Sequence, residues 1–293
     1  MAKRKTRVAI LGTGNIGTDL LIKAMRSDAL EFALFVGRNL RSDGMQKASQ
    51  LGAPISDRGI DAIVQQADDI DIVFDCTSAA AHLEHWPVLQ KLGKTVIDMT
   101  PAKVGQLCVP AINTEQIIEG RAQNINMITC GGQASVPIAN AIAAVQSDIE
   151  YIEVASSIAS RSAGPGTRAN LDEYIETTEE ALIKFSGARR AKAILILNPA
   201  RPPIDMQTTI YAKINNPDLP AIRASVDEMM QRLTQYVPGC QLILPPVIEG
   251  GKVMTTIKVL GNGDYLPRYA GNLDIINCAA IGIAERIARQ RAE

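Results

Sequence analysis

Residues 126–140 read NMITCGGQASVPIAN: a short apolar run, a cysteine, two glycines, then a stretch that reads as helix. This pattern places Cys130 where a strand stops and a helix starts. A helix N-terminus offers unsatisfied N–H groups and a partial positive charge. Both favour thiolate over thiol, so Cys130 is expected to be a nucleophile with a lowered pKa. Gly131 and Gly132 carry no Cβ, which lets a substrate approach the backbone closely. Their N–H groups are candidate oxyanion donors. The competing reading is a buried structural cysteine beside a tight turn.

A second chemical signature stands near the N-terminus. The apolar run 7–11 leads directly into Gly12, Thr13, Gly14, Asn15, Ile16 and Gly17, and residues 18–26 have helical periodicity. Strand, GxGxxG and helix in that order are the context of a dinucleotide-binding loop. Gly12 allows the tight turn, Gly14 lets the backbone approach a pyrophosphate at the helix N-terminus, and Gly17 lets helix and strand pack closely. NAD is the expected cofactor. The next apolar run, 32–36, ends in Gly37-Arg38-Asn39 rather than in the acid that usually holds a ribose 2′-OH. Arg38 is a partner for a 2′-phosphate or a solvated loop charge, so NADP stays open.

A further glycine loop, Ser162, Ala163, Gly164, Pro165, Gly166, Thr167, Arg168, Ala169 and Asn170, follows a strand and precedes a helix. Asn170 with Glu173 fits the spacing of a capping box. The functional reading is a loop that closes on cofactor or substrate, with Arg161 and Arg168 available to an anionic group.

The histidines constrain the chemistry. None follows His85, and His82 and His85 read as surface or packing residues. Cysteine nucleophiles paired with a histidine base are therefore disfavoured, including cysteine proteases and phosphorylating aldehyde dehydrogenases. A thiol without such a base still attacks an aldehyde carbonyl. The thiohemiacetal can pass hydride to a nicotinamide and become a thioester, which a second thiol accepts readily.

These residues need a scaffold. Apolar runs at 71–75, 95–98 and 126–129, with a helical stretch at 79–92, continue the strand–helix alternation. That predicts an α/β architecture with an N-terminal Rossmann-type, doubly wound parallel sheet. After residue 150 the texture changes. Strand candidates at 151–158, 193–197, 208–212 and 253–259, with helices at 171–185 and 220–237, predict a separate α+β substrate or dimerisation domain, an antiparallel sheet with helices on one side. Leu273, Ile276, Ala280, Ile283 and Ile287 line one helix face, expected to return to the first domain. The expected boundaries are 1–130 for dinucleotide binding, 131–270 for the catalytic α+β part and 271–293 for the returning helix.

The composition excludes several classes. With 30 Lys+Arg against 31 Asp+Glu the net charge is −1, so no basic field is present to hold nucleic acid or an anionic membrane. Five scattered cysteines without a CxxC argue against a disulfide framework or a cysteine-based zinc site, and no metal is expected. No run approaches the ~18 apolar residues of a membrane span, and the expected location is the cytoplasm.

Taken together, the chain resembles the acylating acetaldehyde dehydrogenases of aromatic meta-cleavage pathways. The matching motifs are AILGTGNIGTDL (9–20), DIVFDCTS (71–78), MITCGGQ (127–133), SRSAGPGTRAN (160–170), LNPA (197–200) and YLPRYAGNLDI (265–275). The resemblance implies conversion of acetaldehyde or another short aliphatic aldehyde, NAD+ and coenzyme A to acyl-CoA and NADH. It implies that Cys130 carries the acyl thioester, that residues 13–16 and 162–170 touch the cofactor, and that Asn272 lies near the nicotinamide. It also implies a homodimer paired with a 4-hydroxy-2-oxovalerate aldolase. Two features depart from the family pattern. Thr208 stands where an acid/base Asp is expected, with Asp205 nearby and read as a surface charge, and the segment 240–253 looks shorter. The alternatives are a phosphorylating semialdehyde dehydrogenase and a non-catalytic NAD-binding regulatory protein.

Overall fold

Runs that are apolar throughout must be covered on both faces, and in the first half of the chain they form a parallel sheet. The computed structural model describes residues 4–292. Contacts divide the chain into two units: Met1–Met127 with Gly164–Asn170 and Asn277–Glu293, and Ile128–Ala163 with Leu171–Ile276. Beside the expected segments 1–130, 131–270 and 271–293, the glycine-rich segment 164–170 groups with the first unit, and the last helix joins that unit from Asn277.

The first unit begins β1 (Thr6–Leu11), α1 (Asn15–Arg26), β2 (Leu30–Val36), α2 (Asp43–Gln50), β3 (Ile55–Ser56) and α3 (Ile60–Gln65). It continues β4 (Ile72–Asp75), α4 (Ala79–Lys91), β5 (Thr95–Asp98), β6 (Gln106–Leu107), α5 (Pro110–Glu119) and β7 (Asn124–Asn126). The strands form one parallel sheet in the order β3-β2-β1-β4-β5-β7-β6. The order reverses between β1 and β4, and ligands of doubly wound sheets bind at the carboxyl edge beside such a switch. Ala9, Leu11, Leu34, Val36, Ile63, Val73, Leu89 and Val96 form a core cluster, with Trp86 packed against it.

The second unit contains α6 (Cys130–Val145) and β8 (Ile149–Ala159). A short helix α7 (Pro165–Ala169) belongs to the first unit, and α8 (Leu171–Ser186), β9 (Ala191–Asn198), β10 (Met206–Ile214), α9 (Leu219–Thr234), β11 (Cys240–Glu249) and β12 (Lys252–Val259) complete the second. The sheet order is β11-β12-β10-β8-β9. Pairing is antiparallel except for β8 with β9, which α8 connects as a crossover. Along β9 the exposed Ile194 and Ile196 alternate with less exposed neighbours, and β11 exposes Ile243 and Ile248. Helix α6 packs on α8, α9, β8 and β10, and its first ten residues are all buried.

The final helix, α10 (Gly271–Ala292), ties itself to α1 through a polar contact inside the first unit. Asn277 Nδ2 donates to Asp19 Oδ2 at 2.8 Å and to the Ile16 carbonyl at 3.1 Å. Lys23 Nζ donates to the same Asp19 oxygen at 2.7 Å, and Asp19 is 2% exposed. Among the described residues no helix is long and apolar enough to cross a membrane. A buried carboxylate shared by a cation and an amide is costly to remove. Asp19→Ala is expected to destabilise the protein by about 3 kcal/mol in urea unfolding, whereas loss of less than a tenth of that would show the contact to be dispensable.

Candidate active site

The GxGxxG loop closes as its glycines require. Gly12 has φ +111°, and a Cβ there would lie 2.5 Å from the Cys76 carbonyl oxygen after β4. A Cβ on Gly14 would meet nothing within 4 Å, so the backbone faces open space at the start of α1. No side chain caps that helix. Uncapped amides beside open space fit the pyrophosphate of a dinucleotide. Thr13 packs against Gly37 at the end of β2, and Arg38 is exposed there.

The second glycine loop comes to the same place within the first unit. A Cβ on Gly164 would lie 3.2 Å from Asn15 Nδ2, and one on Gly166 would lie 3.7 Å from the Thr77 carbonyl oxygen. Residues predicted 150 positions apart to serve one cofactor are thus neighbours. The expected capping box is absent. Asn170 instead donates to the Gly166 carbonyl at 2.6 Å and accepts from the Ala79 amide at 3.3 Å. The reason is α7, which precedes α8 directly and needs Asn170 at its C-terminus. Ser162 is buried in the second unit and donates to the Ala159 carbonyl at 2.8 Å, so its hydroxyl serves the turn. Arg161 lines a cleft of about 170 Å³ with Asn198, Arg201 and Pro203.

Cys130 is the first residue of α6, and it is 8% exposed. The preceding strand stops at Asn126, earlier than the expected 129, because Ile128 adopts φ +62°. A β-branched residue in that region is strained. Its side chain fills the space Gly132 leaves, where a Cβ would lie 2.5 Å from Ile128 Cγ2. Thr129 caps the helix, accepting the Gly132 amide at 2.8 Å, and its hydroxyl meets Thr178 Oγ1 on α8 at 2.7 Å. The Gly131 amide donates to the Tyr174 hydroxyl at 2.8 Å. That hydroxyl lies 3.5 Å from Cys130 Sγ.

Two expectations are therefore corrected. The glycines make room for protein side chains: a Cβ on Gly131 would stand 2.2 Å from the Tyr174 oxygen and 3.1 Å from Ser156 Oγ. Both amides expected to receive an oxyanion already have acceptors. The Cys130 thiol is also not lowered. Burial pushes it above its ordinary value, against the hydrogen bond from Tyr174 and the Gly131 and Cys130 amides, which favour thiolate. Thr208 is buried and shares a 3.0 Å hydrogen bond with Ser156, while Asp205 lies 3.9 Å from Lys258 Nζ with its side chain 35% exposed. Asn272 stands in the first turn of α10, 4% exposed, and its Oδ1 is buried without a hydrogen-bond partner.

Residues 130–267 match the family model described as prokaryotic acetaldehyde dehydrogenase, dimerisation, and residues 7–120 match semialdehyde dehydrogenase, NAD binding domain. An acetaldehyde dehydrogenase of Pectobacterium atrosepticum is 66% identical, covering 98% of this chain and 97% of the relative. The chain belongs to the acetaldehyde dehydrogenase family. One from Spirochaeta aurantia is 55% identical over 100% of this chain and 98% of its own. Aspartate semialdehyde dehydrogenases share the fold at low identity. The Candida albicans enzyme, solved with NADP, has a TM-score of 0.68 at 11% identity, covering 99% of this chain and 100% of its own. The Vibrio cholerae enzyme has a TM-score of 0.63 at 17% identity, covering 98% and 99%. Membership makes this chain an oxidoreductase of the aldehyde class, with an NAD(P)-binding first unit.

This acetaldehyde dehydrogenase family member also holds a polar network that the sequence did not reveal. Of the two alternatives, surface or packing, His82 takes the packing one and is fully buried in α4. Its Nδ1 lies 3.0 Å from Asp75 Oδ2, and its Nε2 lies 3.1 Å from Asn124 Nδ2 and 3.5 Å from Asp98 Oδ2. His85 Nδ1 reaches the same Asp75 oxygen at 3.0 Å. Asp75 and Asp98 end β4 and β5, and each also accepts the amide two residues on, from Thr77 and Thr100. Burial opposes the Asp75 charge, but hydrogen bonds from both histidines and Thr77 outweigh it and hold the carboxyl at about 2. Burial dominates at Asp98 and pushes it up to about 6. Burial opposes charge on His82 too, yet the Asp75 hydrogen bond and the two carboxylates raise it.

Asp75 is lowered in the folded protein, so its charge stabilises the native state. Its contribution is present above about pH 4 and is lost as pH falls toward about 2, a difference of about 2 kcal/mol. The unfolding midpoint should therefore fall across that window, and Asp75→Asn should be less stable at pH 7 with a flatter acid limb. Parallel acid limbs in thermal melts of both proteins would contradict the assignment.

Proposed function

We propose that this enzyme oxidises acetaldehyde, or another short aliphatic aldehyde, to the acyl-CoA through a thioester on Cys130. The observation that carries the reading is the Cys130 site itself. The nucleophile opens a buried helix among hydroxyls and amides, with no histidine among its hydrogen-bond partners. Cys130 Sγ bonds to the carbonyl carbon, and the thiol proton passes to the carbonyl oxygen. NAD+, held at the Gly12–Gly17 and Gly164–Asn170 loops, supplies the hydride acceptor when bound. Loss of hydride and of the hydroxyl proton leaves an acyl thioester on Cys130. The CoA thiol then displaces Cys130, which recovers its proton. The low exposure of Cys130 supports this order, because it keeps water from the thioester. The buried, unpartnered Oδ1 of Asn272 supports a role as acceptor for a carboxamide N–H such as that of nicotinamide.

The isoleucines exposed on β9 and β11 support a homodimer built on the second unit's sheet, in keeping with the dimerisation model matched there. A 4-hydroxy-2-oxovalerate aldolase as aldehyde supplier rests on the sequence resemblance.

The test follows NADH absorbance with NAD+ and acetaldehyde, before and after CoA. Sustained NADH formation only with CoA is expected, and Cys130→Ala should lower turnover at least 10³-fold, about 4 kcal/mol in activation free energy, while leaving NAD+ affinity within about twofold. Phosphate replacing CoA would instead indicate a phosphorylating semialdehyde dehydrogenase. Substantial CoA-dependent turnover by Cys130→Ala would refute the nucleophile.

A further inference from the structure

Tyr174 has no role in the chemistry above, yet its hydroxyl is the side-chain group that meets Cys130 Sγ, at 3.5 Å. It is 7% exposed, in the first turn of α8. The Gly131 amide donates to its oxygen at 2.8 Å, which leaves the phenolic hydrogen to point elsewhere. Gly131 is shaped to this contact, since a Cβ there would stand 2.2 Å from the phenol oxygen. The backbone of its turn is tied to the start of α6. The Tyr174 carbonyl accepts from Thr178 Oγ1 at 2.7 Å, and Thr178 in turn meets the helix-capping Thr129 at 2.7 Å.

We propose that the Tyr174 hydroxyl is the donor that aims Cys130 Sγ and favours its thiolate form against the burial that opposes it, in a relay running from the Gly131 amide through the phenol to the sulfur. This inference rests on Cys130 being the nucleophile. Donation by the amide makes the phenol a stronger donor in turn. The Thr129 hydroxyl, like the Gly131 amide, hydrogen-bonds the phenol oxygen. Thr129 comes from the α6 cap, Ser156 from β8 beside Gly131, and Thr208 from β10 bonded to Ser156, all neutral hydroxyls. The groups that bear on the thiol's ionisation are burial, Tyr174 and the Gly131 and Cys130 amides, with no carboxylate or cation among them. Tyr174 itself stays protonated, because burial and then the neighbouring thiolate push its phenol well above its ordinary value. It is therefore a donor, not a base.

The test measures the pH dependence of Cys130 alkylation by iodoacetamide in the full-length protein, with the modified peptide read by mass spectrometry. This readout needs neither CoA nor aldehyde. Tyr174→Phe should slow alkylation at pH 7.5 about tenfold, the scale of one hydrogen bond to a charged group, and shift the midpoint about one pH unit upward. Its kcat/KM should fall similarly at neutral pH and recover in alkali. Site-specific difluorotyrosine at 174 keeps the ring and makes the hydroxyl a stronger donor. It should move the midpoint down, and it serves if Tyr174→Phe fails to fold. Unchanged midpoints in the folded variants would overturn the proposal. If Cys130→Ala retains turnover, the nucleophile reading has failed. If Cys130 is essential but the tyrosine variants titrate like the wild type, only the donor role has failed.

Discussion

Thr129 and Tyr174 take the amide hydrogens of Gly132 and Gly131 at the opening of α6, and this pair of hydrogen bonds governs the surroundings of Cys130. A helix of 16 residues whose first turn is buried must satisfy those donors internally. Spending them on two hydroxyls fixes the rotation of the first turn. The position of Cys130 Sγ follows from it. The same demand explains Gly131 and Gly132, whose missing Cβ atoms leave room for the phenol and for Ile128. Ile128 sits at φ +62° because its side chain must enter that space while the chain turns from β7 into α6.

The first unit applies a different economy to the same problem of burying polar groups. Two strands end in aspartates at the carboxyl edge of the sheet, and both carboxyls are fully buried. Their environments push them apart, Asp75 down to about 2 and Asp98 up to about 6, with His82 between them. One ionised and one more readily protonated carboxyl can share a buried imidazole without leaving two like charges unopposed. The turns that follow them, at Thr77 and Thr100, are built from the same carboxyl groups.

Much of the architecture was legible because it rests on local patterns. The GxGxxG context, the alternation of strand and helix and the apolar face of α10 each depend on neighbours in sequence. The edge strand β11, which carries Pro245 and Pro246, was not among the strand candidates. At a sheet edge such prolines are tolerated, and the ladder takes register shifts around them. The site was half legible. Cys130 and the two glycine loops stand out by composition, and Gly164 does meet Asn15. Tyr174 did not stand out, because a lone tyrosine one turn into a helix carries no local signature. The Asp75–His82–Asp98 network joins residues whose proximity only the sheet creates. The thiol's pKa was misjudged because a helix terminus was weighed without the burial that accompanies it.

The central claim is that Cys130 carries the acyl group. Its most direct test is peptide mass spectrometry of enzyme quenched in acid after mixing with acetaldehyde and NAD+ in the absence of CoA. The account predicts an acetyl group on the peptide containing Cys130, formed together with NADH and lost when CoA is added before the quench. NADH formation with an unmodified Cys130, or an acetyl group on another residue, would contradict it.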